Sequence, residues 1–272
     1  MKLKTFVPAL AAVLALPAFA AINPGAADSG ELFFVVQDSA TKVSFTKDLG
    51  LSLNDFLSNG QAEAGLSFTV DIANDSNWAS FLTASSAPAS RSWTVLAMSN
   101  TGLSSNRLLT TVRAGVTETL MRTSTNVGLH TGIGATTAGS FFASVNSSGT
   151  HRPATDYTVN GSSVNSAADA SPRGYFGQPG NTSGTLNSNM RFSSLNAVGA
   201  SSAFYEVFAS SAAPGGFVLL DRFDNASSTA SFSFDGSNLN YSLAAAVPEP
   251  ETYALMLAGL GALGLLISRR RA

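Results

Sequence analysis

From Leu66 to Ile72 the chain reads Leu-Ser-Phe-Thr-Val-Asp-Ile, with apolar and polar residues alternating throughout. Successive side chains of a strand point to opposite faces, so this run predicts a half-buried β-strand. Other segments carry related patterns. Leu32 to Val36 is a continuous apolar run, and Thr41 to Lys47 alternates around Val43 and Phe45. With Asp38-Ser39-Ala40 between them, the two segments predict a hairpin. Arg91 to Met98 places Trp93, Val95 and Ala97 on one face, and Leu108 to Val112 is a shorter strand candidate.

The pattern returns near the C-terminus. Ala203 to Ala209 and Phe217 to Phe223 surround a loop that includes Pro214-Gly215-Gly216. Thr229 to Phe234 and Leu239 to Leu243 flank Asp235-Gly236-Ser237-Asn238, whose Asp-Gly favours a tight hairpin turn. Strands recurring with short turns predict a mainly β fold, an antiparallel sandwich with a few short helices and long polar loops. Short helices are expected at Ser52 to Leu57 and Ser76 to Leu82, capped by Ser52 and Ser76, and a third at Val116 to Arg122. Residues 146–202 are dominated by Ser, Asn, Gly, Thr and Ala, which predicts surface loops or an excursion from the sheet. The strands after this stretch must pair with those before it, so residues 21–246 are expected to form one discontinuous domain.

Both ends carry addresses. Met1-Lys2-Leu3-Lys4 is a short positive start, Phe6 to Pro17 is apolar, and Ala18-Phe19-Ala20 presents small residues at the positions a signal peptidase reads. This order predicts a signal peptide over residues 1–20 and a mature chain beginning at Ala21. At the far end, Val247-Pro248-Glu249-Pro250-Glu251 precedes an uncharged stretch from Tyr253 to Ile267 and then Arg269-Arg270-Arg271. As a helix, those fifteen apolar residues span about 22 Å against roughly 30 Å of hydrocarbon, a short transmembrane segment suited to a transient anchor. The arginine triplet holds its end on the cytoplasmic side and leaves the body outside.

The string VPEPETYALMLAGLGALGLLISRRR resembles the PEP-CTERM sorting signal of Gram-negative bacteria that make extracellular polysaccharide. The resemblance covers residues 247–272 and assigns nothing to the body. It implies recognition of Pro248-Glu249-Pro250 by exosortase, an integral-membrane transpeptidase-like protease, followed by release or transfer of the protein. An inner-membrane intermediate and then a cell-surface or extracellular location follow from that implication. A simple anchor on a proline-rich stalk is the alternative, which the short span fits poorly.

Chemistry is sparse. The ends hold five of the 15 positive and two of the 17 negative charges, leaving a body with 10 positive and 15 negative. A weakly acidic body with scattered cations does not bind nucleic acid through its phosphates. The chain has no cysteine, which excludes disulfides, thiolate metal sites and a cysteine nucleophile. His130 and His151 stand alone, and Gly132-Ile133-Gly134 lacks the third glycine of a dinucleotide loop. Asp71, Asn74 and Asp75 could offer oxygens to calcium, and Asp221 with Asp224 could act as paired acids; turn and cap roles are the plainer reading. Trp78 and Trp93 are candidates for stacking on sugars, although a strand Trp more often fills a core. No catalytic residue, metal site or cofactor is nominated. The expectation is a non-enzymatic surface or biofilm-matrix protein, with polysaccharide contact in view. The alternatives are a secreted hydrolase acting on that matrix and a protein–protein assembly module.

Overall fold

Strands β1 (Glu31–Asp38) and β2 (Val43–Ser52) form the expected hairpin, in register from Phe33↔Asp48 to Asp38↔Val43. The Asp38 carboxylate accepts from the amides of Ala40 at 2.8 Å and Thr41 at 3.3 Å, and Lys42 closes the turn at φ 56°. The molecule is described from a computed structural model over residues 21–25, 30–137, 141–151, 161–178 and 190–245.

The remaining strands are β3 (Leu66–Asp71), β4 (Arg91–Ser99), β5 (Arg107–Thr111), β6 (Ser162–Ser166), β7 (Asn196–Ala197), β8 (Ser201–Phe208), β9 (Leu219–Arg222), β10 (Ser231–Phe234) and β11 (Asn238–Leu243). Hydrogen bonding joins them in the order β3-β11-β10-β8-β5-β4-β1-β2-β6, with β7 beside β4 and β9 beside β8. Every pairing is antiparallel.

The fold is mainly β, and its layers belong to one continuous sheet that curls over. Strand β8 is the corner. It pairs with β5 along Phe204–Phe208 on one edge, and with β10 at Ser201–Ala203 on the other. The arm β3-β11-β10 thereby faces β1, β2 and β4. Between them lies the larger core, where Phe34, Val36, Trp93 and Val95 meet Phe232, Phe234, Leu239 and Tyr241. The Phe34 and Phe234 rings pack edge to face, with centroids 4.9 Å apart.

A second core explains the unbroken apolar run in β1. Phe33 and Val35 point away from the first core and join Leu96, Met98 and Leu108. Helices α4 (Asn126–Thr137) and α5 (Phe141–Ser147) cover them through Leu129, Ile133, Phe141, Phe142 and Val145. A strand buried on both faces cannot alternate.

Helix α1 (Leu53–Asn59) is capped by Ser52, whose hydroxyl accepts from the Asp55 amide at 3.1 Å. Helix α2 (Ser76–Ala84) differs from expectation at its cap, which is Asp75 rather than Ser76. Asp75 lies in extended backbone and accepts from the Asn77 amide at 2.9 Å, so Ser76 becomes the first helical residue. The third expected helix shortens to α3 (Glu118–Met121). Within the polar stretch 146–202, β6 pairs with β2, and Phe176, Met190 and Phe192 are buried. Late strands do pair with early ones, β8 with β5 and β11 with β3. Among the described residues no helix is long and apolar enough to cross a membrane; the expected span 253–267 and the signal peptide lie outside them.

Candidate functional site

The sorting segment leaves the body from a fixed point. Leu243, the last residue of β11, pairs with Leu66. The next carbonyl, that of Ala244, accepts from Asn225 Nδ2 at 2.7 Å and Ser228 Oγ at 2.9 Å. Asn225 is itself set by a turn, its Oδ1 accepting from the amides of Ser227 at 3.1 Å and Ser228 at 2.9 Å. Behind the exit, Gly65 sits at φ +76°, and a β-carbon there would lie 2.5 Å from the Ala245 amide nitrogen. Only glycine fits that approach.

Pro248, Glu249, Pro250, Arg269, Arg270 and Arg271 lie outside the described residues, as do Ala18 and Ala20. Ala21 is described and buried, and Ile22 belongs to the second core. Asn146 of α5 holds both polar groups of Ile22, its Oδ1 accepting from the amide and its Nδ2 donating to the carbonyl, each at 3.0 Å.

Two kinds of cleft open on the body. One, of about 290 Å³, lies where β2 and α1 face the edge strand β3, lined by Leu49, Leu51, Phe56, Leu66, Phe68 and Val70. Its carboxylate, Asp55, accepts from the Ser52 hydroxyl at 2.6 Å within the α1 cap. The other, about 520 Å³, is mixed, with Ser39, Ser90, Arg91, Ser92, Arg113 and Asn196 on its walls beside Leu195 and several alanines. Through Ser39 it adjoins a further cleft of about 570 Å³ that carries Lys42, Gln37 and Gln178.

The residues singled out in the sequence mostly turn out structural. Trp78 and Trp93 are 3% and 0% exposed, so neither can stack on a sugar at the surface. Trp93 Nε1 donates to the Ala197 carbonyl at 2.8 Å, and Trp78 stacks on Phe81 with centroids 5.0 Å apart. His130 Nδ1 lies 2.8 Å from Asn106 Nδ2, and His151 is buried. Asp71 accepts from the amide of Asn74 at 3.2 Å and from its side chain at 2.5 Å, a local turn. Asp75, besides capping α2, pairs with Lys47 Nζ at 2.9 Å and accepts from Ser162 Oγ at 2.7 Å. Burial raises the Asp75 pKa, but Lys47 and Ser162 outweigh it and hold the carboxyl low. Among the described residues no three His, Asp or Glu side chains gather as a metal-binding group.

Asp221 accepts from Gln61 Nε2 at 2.8 Å, while Asp224 bridges to Thr229. The cross-strand neighbour of Asp221 is Glu206, which pairs with Arg107 at 3.4 Å. Burial keeps the Glu206 pKa raised against the pull of Arg107. Neither acid lines the clefts described above.

One carboxyl pair escaped the sequence reading. Glu31 and Asp48 are 3% and 0% exposed on the hairpin face that looks toward the second core. Burial pushes Glu31 up to about 7, against the Asn23 amide that donates to it at 2.7 Å. Burial, and then the Glu31 charge, push Asp48 up to about 8. Asp48 Oδ1 accepts from the Gly50 amide at 2.7 Å, and its Oδ2 has no hydrogen-bond partner among the described residues. Nothing in the sequence around either residue announces the pair, because the β1–β2 register is what brings them together.

Neither a curated protein nor a solved structure shows significant similarity to the chain. The tail is different. Residues 246–271 match the PEP-CTERM protein-sorting motif, which implies export through the membrane to the cell surface with exosortase as the processing partner.

Proposed function

We propose that this protein is a non-enzymatic component of the cell surface or extracellular matrix, whose body holds an anionic polysaccharide in the Arg91–Arg113 cleft. The observation that carries the reading is the chemistry of that cleft. It combines serine hydroxyls, an asparagine and two arginines, and among the described residues no carboxylate lines it. Lys42 extends the positive rim through the adjoining cleft. The body has 15 acidic and 10 basic residues, so a cation-lined cleft is a local departure from the overall charge. With both tryptophans buried, sugar stacking at those residues is closed, and charge-assisted hydrogen bonds become the available means of recognition.

The test uses the processed protein recovered from cells. It should bind polygalacturonate at low salt and release it as salt rises, with Arg113→Glu lowering affinity and dextran not retained. Equal binding by Arg113→Glu, or no binding at low salt, refutes the polysaccharide contact. A protein–protein role is the second reading. It is favoured by the apolar cleft beside β3, an edge strand paired only with β11 among the described residues. Cross-linking on intact cells that recovers no protein neighbour counts against it.

A further inference from the structure

The sorting motif begins close to β11, the last strand of the body, and this short leash limits where the sorting enzyme can work. Two residues separate Ala245 from Pro248, so over three peptide steps their Cα atoms lie at most about 11 Å apart. The apolar stretch starts at Tyr253, at most about 29 Å from Ala245. A domain of this size has a radius of gyration of about 17 Å. An enzyme that takes Pro248-Glu249-Pro250 into its active site must therefore come closer to the exit than the body's own radius. It meets whatever surrounds Ala244.

That surround is built from two loops fastened to each other. Asn225 Nδ2 donates to the Ala62 carbonyl at 3.5 Å as well as to that of Ala244 at 2.7 Å. The Ala226 amide donates to Glu63 Oε2 at 3.4 Å. Glu63, Ala64, Ala226 and Ser227 are exposed on this rim. The chain cannot lengthen the leash cheaply, because Leu243 is in the β3–β11 ladder and the Ala244 carbonyl is held twice.

We propose that the rim formed by Glu63, Ala64, Ala226 and Ser227 is a contact surface for exosortase, so that processing depends on the folded body as well as on the motif. The inference rests on the sorting reading and adds a steric condition to it: the rim must accept the face of the enzyme while the motif sits in its active site. The sorting enzyme is the occupant because its substrate segment is covalently tied to this rim.

The experiment follows tail removal by intact mass in the exosortase-bearing host, using the full chain. Ala226→Trp and, separately, Ala64→Arg should slow tail loss about tenfold by displacing the segment from the active site. An insertion of about ten Gly and Ser residues after Ala245, which adds about 17 Å of reach, should restore the rate in both variants. A photo-crosslinker at position 226 should trap exosortase. Wild-type rates in both variants, or capture of lipid alone, overturn the proposal. So does a loss that the insertion fails to restore in a variant melting like wild type. If the unaltered protein keeps Arg271 at the cell surface, the sorting reading itself fails, whatever the variants do.

Discussion

Glu31 and Asp48 share one face of the β1–β2 hairpin, both shut off from water, and among the described residues neither forms an ion pair. Each ionises at the expense of burial, and Asp48 also against the charge of Glu31. Their folded pKa values, about 7 and about 8, lie above the ordinary values of 4.5 and 3.8. A raised pKa means that the folded state holds its proton while the unfolded chain releases it. The contribution to stability is full below about pH 4 and is lost as pH climbs through 7 to 8. Melting temperature should therefore fall from pH 5 to pH 9, with a few kcal/mol at stake. Asp48→Asn keeps an oxygen for the Gly50 amide and removes one titration, so it should flatten that fall. A profile unchanged by the substitution refutes the assignment.

Asp38 works at the opposite end of the pH scale. Burial pushes its pKa up, but the Ser86 hydroxyl, the amides of Ala40 and Ser86, and the Ser90 hydroxyl more than reverse this, to about 2. Here the proton favours the unfolded chain, so stability present above about pH 4 is lost as pH falls toward 2. Asp38→Ala should abolish this acid-side dependence. It should also cost about 1–3 kcal/mol at neutral pH, since the Ser86 amide and hydroxyl at 2.5 and 2.7 Å lose their acceptor. Urea melts at pH 7 and pH 3 check both parts.

Much of the sheet was legible because one-sided strands write their burial into period two. Leu66, Phe68 and Val70 pack toward the larger core, with Ser67, Thr69 and Asp71 outward. The turn at Gly236, φ +102°, was equally plain from Asp235-Gly236. Helix α4 was not. Its sequence Asn-Val-Gly-Leu-His-Thr-Gly-Ile-Gly is poor in helix formers, and tertiary burial of Leu129 and Ile133, four residues apart, overrides propensity. It also places Gly132-Ile133-Gly134 inside a helix rather than in a strand-to-helix loop. The Glu31–Asp48 pair was illegible for another reason: it depends on register between strands, which local pattern does not carry.

The buried tryptophans give an optical test of the core. Trp93 touches Phe34 and Phe234, with centroids 6.4 and 6.5 Å away, while Trp78 packs against Phe45 at 5.3 Å. Their emission should be blue-shifted, resist iodide quenching, and stay unchanged when polysaccharide is added. Phe234→Ala, which removes the ring between the two tryptophans, should cost about 3–5 kcal/mol. Quenching like that of free tryptophan in the folded protein contradicts the packing.

The segment that follows Ala21 offers the last test. Ile22 is 1% exposed, and Asn146 occupies both its amide and its carbonyl. Asn23 then donates to Glu31, and the Gly25 carbonyl accepts from the Asn100 amide at 2.8 Å. The strap is thus stitched to α5, β1 and the end of β4 within five residues of Ala21. Ala21 and Ile22 are buried once docked, so a peptidase acting at the expected signal-peptide boundary needs them undocked. Cleavage should therefore precede docking, and a chain folded before cleavage should resist it. Asn146→Ala leaves two backbone groups of Ile22 without partners and should cost about 1–3 kcal/mol. Hydrogen exchange at Ile22 should accelerate in this variant far more than at Phe34. Equal acceleration at both positions means that Asn146 supports the whole fold rather than the strap.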